Sequence, residues 1–447
     1  MKGDPIRRAA RSSWLLIVLA GSAGCGSDAL RGLFVGYTPH EQYEHSLRAA
    51  GLDQTALGRE WLAAAVRAIE EPVPIEAPYR EVSYLDARAA GAVGYRVTMR
   101  RGERMTVDFD VDGDTTLRVF LDMFVLPNNA AGEPVLLASA DSLSHELEYV
   151  ARREGEYLLR IQPELLRGGR YTVTIEVGGS LGFPVAEYDT RAIRSWWGDW
   201  RAGGRRHEGV DIFAPRGTPV LAAAAGTVRS TRPNNLGGNV VWLRDELGRS
   251  HYYAHLDSQL VRQGDRVRLG DTIGFVGNTG NARTTPPHLH FGVFERGYGA
   301  FDPLPAIEQP TSRPALFAGD PEMIGSMARV SRNRTAVRAG PMARSPLVAE
   351  LTLHTLLSVE AGSGEWYRVL LPDGTKGYVP AGFTEPVDRP IRSELLADGA
   401  LIRSQPVPTG APLDSLVAGQ QVPVLGTYGG HLFVQSPSGR AGWLVLD

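Results

Sequence analysis

Five of the ten histidines in this 447-residue sequence fall between His207 and His290, in three short groups. His288 and His290 stand two apart in PHLHFGVF, a run rich in aromatic and β-branched residues that reads as a strand. Alternate residues of a strand point to one face. The spacing therefore sets the two imidazoles side by side on a polar face, with Leu289 and Phe291 turned the other way into a core. Neutral imidazole is zinc's preferred nitrogen ligand, so a zinc ion is the common guest of such a pair. Upstream, His207 and Asp211 lie four apart in RRHEGVDI. Gly209 and the following VDIFAP oppose a helix, which places the pair on a loop running into a strand. A carboxylate beside a histidine can complete a zinc site or orient the imidazole from behind. The third group is HYYAHL, with His251 and His255 on a predicted strand. One histidine alone is ordinarily a surface or core residue. Three ordered groups of ligand-type residues point to a metal.

Such groups need a frame that brings them together. Gly217, Gly226, Gly237, Gly238, Gly270, Gly274, Gly277 and Gly280 punctuate short apolar runs, and glycine in a strand run marks a turn, a bulge or a close backbone approach. The pattern predicts a compact, strongly bent antiparallel sheet with the metal in a groove on its face. Trp196, Trp197 and Trp200 precede the first histidine. They either line the groove for a polymeric substrate or pack under the His207 loop.

Taken together, RHEGVDIFAPRGTPV, AAAAGTV, HYYAHL, GDRVRLGDTIGFVGNTG and PHLHFGVF resemble the lysostaphin-type (LytM-type) zinc endopeptidases of bacterial cell walls. The likeness covers roughly residues 190–310. It implies zinc held by His207, Asp211 and His290, with His255 and His288 doing the acid–base work. It also implies a peptide bond of peptidoglycan, in a stem or a cross-bridge, as substrate. Two departures stand out. NARTTPP between Gly280 and His288 is longer than the family's usual Ser-Thr-Gly-Pro type and can reshape the groove, and Gly292 stands where an acidic residue often follows HLHF.

The rest of the chain fits an exported, mainly β, multidomain protein. Net charge is −3 and no phosphate-cradling loop or basic stripe with interleaved aromatics is present, so a nucleic-acid partner is not expected. Cys25 is the sole cysteine, which excludes an intrachain disulfide. Residues 1–25 read as an export signal: Lys2, Arg7, Arg8 and Arg11, then WLLIVLA, then GSAG. Ala23, Gly24 and Cys25 resemble the end of a bacterial lipobox, with Ser22 where leucine is usual. That implies a lipid on Cys25 and a membrane anchor; the other reading is a plain cleaved signal in which Cys25 is incidental. Residues 26–72 form a helical segment, with two short helices between 39 and 71 and His40 and His45 on a solvated face. Residues 79–178 alternate like the strands of a β-sandwich.

After the peptidase-like domain, VRAGP at 337–341 and PDGTKGYV at 372–379 recur as IRSQP at 402–406 and PSGRAGWL at 437–444, a constant offset of 65. A fixed offset marks duplication. Both copies, 327–387 and 390–447, resemble bacterial SH3-like barrels, expected to be separable from the chemistry and to serve either as wall-binding modules or as spacers. The resemblance thus implies a zinc metalloendopeptidase of the cell envelope. Two other classes remain open: a non-hydrolytic adaptor that binds the wall and activates an amidase, and a structural lipoprotein with a vestigial site.

Overall fold

The structure, a computed structural model, describes residues 36–445 apart from 113–115, 128–131 and 202. Cys25 and the segment before it lie outside the described residues. Among the described residues no helix is long and apolar enough to cross a membrane.

The chain is mainly β. It opens with helix α1 (Pro39–Ala49), started by a capping box in which Thr38 and Glu41 each satisfy the other's backbone N–H. Gly51, at φ 68°, supplies the left-handed turn that leads, through a short 3-10 turn, to helix α2 (Ala56–Glu70). Trp61 of α2 is fully buried against the sandwich and donates from its indole nitrogen to the Pro163 carbonyl at 2.9 Å. His40 corrects the solvated-face expectation. It is buried, stacks on Trp61 at 4.7 Å and bonds Gln162 at 2.7 Å, so α1 turns its His40 edge toward the sandwich. His45 is exposed.

The β-sandwich packs two sheets over one apolar core. Strand β1 (Tyr79–Leu85) lies in one of them, beside the Gly169–Gly179 strand, which in turn pairs with Glu103–Val111. That last strand alternates cleanly: Met105, Val107, Phe109 and Val111 point in, Asp108 and Asp110 out.

The chain then builds the sheet that carries the histidine groups. Six of its eight strands are β2 (Val210–Phe213), β3 (Gly226–Ser230), β4 (Asn239–Asp245), β5 (Ser250–Leu256), β6 (Arg266–Val267) and β7 (His288–Glu295). They lie in the order β2-β7-β5-β4-β3-β6, all pairs antiparallel. Val210, Ile212, Val241, Leu243, Tyr253, Leu289, Phe291 and Val293 fill the core behind it. The opposite face is left for the site.

The two C-terminal units repeat strand for strand. Thr335 pairs with Leu351 and Ala400 with Leu416; Val359 pairs with Val369 and Val424 with Val434. Even the register slip falls at the same place, between Val337 and Arg338 and between Ile402 and Arg403. Separability is another matter for the first unit. Its strand β8 (Leu356–Ser363) pairs with β1, Val82 opposite Gly362 and Ser83 opposite Ala361, so sandwich and barrel share one sheet. Beneath that seam Arg368 meets the buried Glu81 at 3.0 Å, and the hydroxyls of Tyr79 and Tyr378 lie 3.0 Å apart. Two edge strands with open hydrogen-bonding groups have satisfied each other.

Candidate metal centre

Register assembles the centre. On β7, His288 and His290 share the face opposite Leu289 and Phe291, as the alternation requires. Asp211 of β2 sits directly across from His290. His207 arrives from the loop before β2. The three donor atoms, His207 Nε2, Asp211 Oδ1 and His290 Nδ1, form a nearly equilateral triangle: 3.0 Å from His207 to Asp211, 2.9 Å from His290 to Asp211, and 2.9 Å from His207 to His290.

The surroundings fix which atoms point inward. His207 Nδ1 donates to the Trp196 carbonyl at 2.8 Å. A carbonyl can only accept, so the proton is on Nδ1 and Nε2 faces the triangle bare. Gly209 explains the turn ahead of Asp211: a Cβ there would meet the Phe291 carbonyl at 2.5 Å and His290 Cε1 at 2.8 Å. Only glycine lets the loop lie over the His290 ring. Arg201, from a two-residue strand paired with Arg205–Arg206, donates to Asp211 Oδ2 at 2.7 Å and to Ser195 Oγ at 2.7 Å. Oδ1 is thereby left for the triangle. Burial pushes the Asp211 carboxyl up, but a proton entering between it and His207 or His290 settles on the rings and holds the carboxyl well below the usual carboxylate range. Burial lowers His290, opposed by Asp211. The triangle is therefore made of an ionised carboxylate and two imidazoles. Zinc–nitrogen and zinc–oxygen bonds are about 2.0–2.2 Å long, a length at which one ion can touch all three corners of such a triangle. The residues fit a zinc ion.

His255 and His288 stand beside the triangle without joining it. Their ring centres are 5.0 Å apart. His255 Nδ1 donates to the Thr279 carbonyl and His288 Nδ1 to the Pro286 carbonyl, each at 2.9 Å. Each ring therefore carries its proton on Nδ1 and presents a bare Nε2. His288 stacks on Phe213 at 4.9 Å, which fixes its plane. Burial, and then the neighbouring His288 and His290, lower His255 to about 4 against the Thr279 hydrogen bond, so it is neutral at physiological pH.

His255 reaches this position against its strand. His251 and Tyr253, of the same parity on β5, point into the interior, where His251 bonds Asp245 at 3.1 Å. Strict alternation sends His255 after them. Its backbone instead adopts φ 64°, a left-handed conformation uncommon outside glycine, which swings the ring to the site face.

Triangle and histidine pair open into one cleft of about 880 Å³, lined among others by Asn234, Leu236 and Gly237 and by Asn281, Ala282 and Thr285, the two loops joined where Asn281 N–H donates to the Leu236 carbonyl at 3.0 Å. The lengthened NARTTPP segment is thus a cleft wall. Trp196, Trp197 and Trp200 do not line the cleft; Trp196 contributes its carbonyl, and Trp200 lies exposed under the Arg206 guanidinium at 4.4 Å. Sequence reasoning missed Arg201 and the reason for Gly209. Arg201 carries no signal in an arginine-rich loop, whereas Gly209, flanked by the ligand-type residues, could have been read as a close approach.

Residues 205–303 match Peptidase family M23, and residues 333–385 match the Bacterial SH3 domain. An L-Ala--D-Glu endopeptidase of Bacillus subtilis (strain 168) is 40% identical over 141 residues, 29% of this chain and 43% of that protein. The peptidoglycan DD-endopeptidase ShyC of Vibrio cholerae serotype O1 is 42% identical over 93 residues, 21% of this chain and 21% of that protein. Among solved structures, the catalytic domain of the antimicrobial peptidase lysostaphin from Staphylococcus simulans is 36% identical, over 25% of this chain and 89% of that chain, with a TM-score of 0.24. The chain spans less than half the length of the curated relatives it matches.

Proposed function

We propose that this chain, with its M23 domain joined to a bacterial SH3 domain, is a zinc-dependent endopeptidase that hydrolyses peptide bonds of peptidoglycan. The observation that carries the reading is the triangle of three inward donors with two bare imidazole nitrogens next to it, all facing one open cleft. His207, Asp211 and His290 hold the ion. Zinc supplies Lewis acidity there, lowering the pKa of water toward about 7 and polarising a carbonyl. The chain's own residues handle the protons. His255 and His288 share the proton work: the bare Nε2 of one takes a proton from the attacking water, and the departing amine is protonated from that same Nε2 or from the other ring after it has taken up a solvent proton. Their Nδ1–carbonyl bonds keep the working nitrogens aimed into the cleft through both transfers. The complete donor set favours this reading over an adaptor that only activates an amidase.

The two histidines of β7 provide the test. His290→Ala should empty the zinc site and abolish cleavage of a cross-linked peptide. His288→Ala should keep zinc near one per chain while turnover falls roughly 100- to 10,000-fold. Equal zinc loss in both variants would refute the division of roles. A wild type that binds zinc and stimulates an amidase without cleaving peptide itself would make the chain an adaptor.

Residues 390–447, repeating the 333–385 match at an offset of 65, act as a second SH3-like copy, and the pair adds affinity for the wall. Export with a lipid on Cys25 places the chain on the envelope side of a membrane. Wild type should sediment with membranes and Cys25→Ala should not; a wild type that is cleaved and freely soluble would exclude the anchor.

A further inference from the structure

The face of the sheet that carries His290 does not end at the metal centre. Along β7 it continues through Gly292 to Phe294. Tyr252 of β5 lies opposite Gly292, and Trp242 of β4 lies opposite Tyr252. The Trp242 ring packs on Tyr252 at 4.4 Å and on Phe294 at 5.3 Å, forming an aromatic shelf beside the triangle. Two residues beyond Trp242 on the same face is Arg244. Thr227 of β3 lies opposite it, and Arg266 of β6 opposite Thr227.

Arg244 and Arg266, with Arg229 and Arg268, are exposed and line one depression of about 700 Å³. Among the described residues none of these four guanidinium groups is in an ion pair or a hydrogen bond. Acids near them are engaged elsewhere. Asp245 is buried and taken up by Arg249 and His251, and Asp265 and Asp271 accept backbone N–H groups of Arg262 and Arg268. Glu246 is the one exposed carboxylate lining the depression. Exposed Arg48 and Arg191, by contrast, each have an acidic partner. Four unpaired like charges around one hollow repel one another and gain most from a polyvalent anion.

We infer that this depression binds carboxylates of the same wall polymer whose peptide lies over the metal centre. Arg244 is four residues along and two strands across from His290, roughly 15 Å on a β-sheet. An extended peptide of four or five residues spans that distance at about 3.3–3.6 Å per residue. A peptide with free acidic side chains or a free C-terminus can thus cross the aromatic shelf and end among the arginines. This rests on the peptidase reading above.

The test uses the full chain carrying Arg229→Gln, Arg244→Gln, Arg266→Gln and Arg268→Gln together. Affinity for purified sacculi at low ionic strength should fall roughly 10- to 100-fold, four exposed pairs acting together. Its dependence on salt should flatten, since screening then has less to remove. Cleavage of a short cross-linked peptide amide without carboxylates should stay at the wild-type rate. Poly-glutamate should displace the wild type from sacculi better than polyphosphate at equal charge. A variant that binds sacculi with wild-type affinity and salt response overturns the inference. So does displacement by polyphosphate or anionic vesicles but not by poly-glutamate, which would assign the depression to a phosphate-bearing polymer or a lipid surface. Failure of the wild type to cleave the short amide would sink the peptidase reading while leaving the sacculus-binding comparison to decide this one.

Discussion

Asp211 and Glu81 are both carboxylates sunk into this chain, and their company differs in kind. Glu81 accepts from the hydroxyls of Tyr79 and Tyr95 and from Arg368 Nη2. Burial, and then the Glu81 charge, raise both phenols, so they remain donors. Each of these neighbours offers a proton to a group that needs one. Asp211 Oδ1 instead meets His207 Nε2, whose ring has already committed its proton to Trp196. Acceptors are gathered against acceptors there, an arrangement that is costly in a buried place unless a proton or a cation enters. A carboxylate ringed by donors completes a fold. One grouped with bare nitrogens is a donor set for a cation.

That contrast can be broken by exchanging the effects of two substitutions. Asp211→Asn should abolish zinc binding and peptide cleavage while the chain still folds, because its neighbours open to the cleft. Glu81→Gln should do the reverse. It leaves the buried Arg368 with only the longer contact to Glu360 at 3.4 Å, costing about 3 kcal/mol of stability in a denaturant titration, with zinc content and turnover unchanged at temperatures where the chain is folded. Zinc loss in Glu81→Gln, or unfolding in Asp211→Asn, would erase the distinction. A smaller effect sharpens it. Arg201→Gln removes a charged donor from the far oxygen of Asp211, so zinc affinity should weaken about 10- to 100-fold without loss of fold, the usual worth of a group that orients a ligand. An unchanged zinc affinity would show that the triangle holds Asp211 unaided.

What could be read from sequence follows from what has a period. His288 and His290 declare their common face because a strand repeats every two residues, and the 65-residue offset declares the duplicated barrels down to the register of their strands. His255 obeys no period. Parity sends it inward, and only a left-handed backbone at one residue brings it to the cleft. Glu81 misleads in the other direction. In YREVSYL a charged residue beside valine reads as solvent-facing, yet Tyr79, Glu81 and Ser83 form the buried row because the first barrel covers them. Pairing between two sheet edges leaves no trace in either strand. His40 fails for a similar reason, since its burial depends on Trp61 and Gln162, which lie far off in the chain.

The seam between β1 and β8 also changes how force runs through the molecule. In chain order the sandwich leads to the peptidase domain and that domain to the barrels. In space the sandwich is bonded directly to the first barrel, at Val82–Gly362, Ser83–Ala361 and Glu81–Arg368. The peptidase domain leaves and returns at one place, where Gly179 N–H donates to the Glu308 carbonyl and Leu181 N–H to the Ala306 carbonyl. It hangs from the frame as a loop pinned at its neck, with Arg101 of the sandwich also paired to Glu295 at the far end of β7 at 2.6 Å. Tension between the N-terminal helices and the C-terminal barrels therefore passes through the seam and bypasses the metal triangle. A chain tethered at one end and gripping a stretched polymer at the other would keep its 2.9–3.0 Å geometry under load.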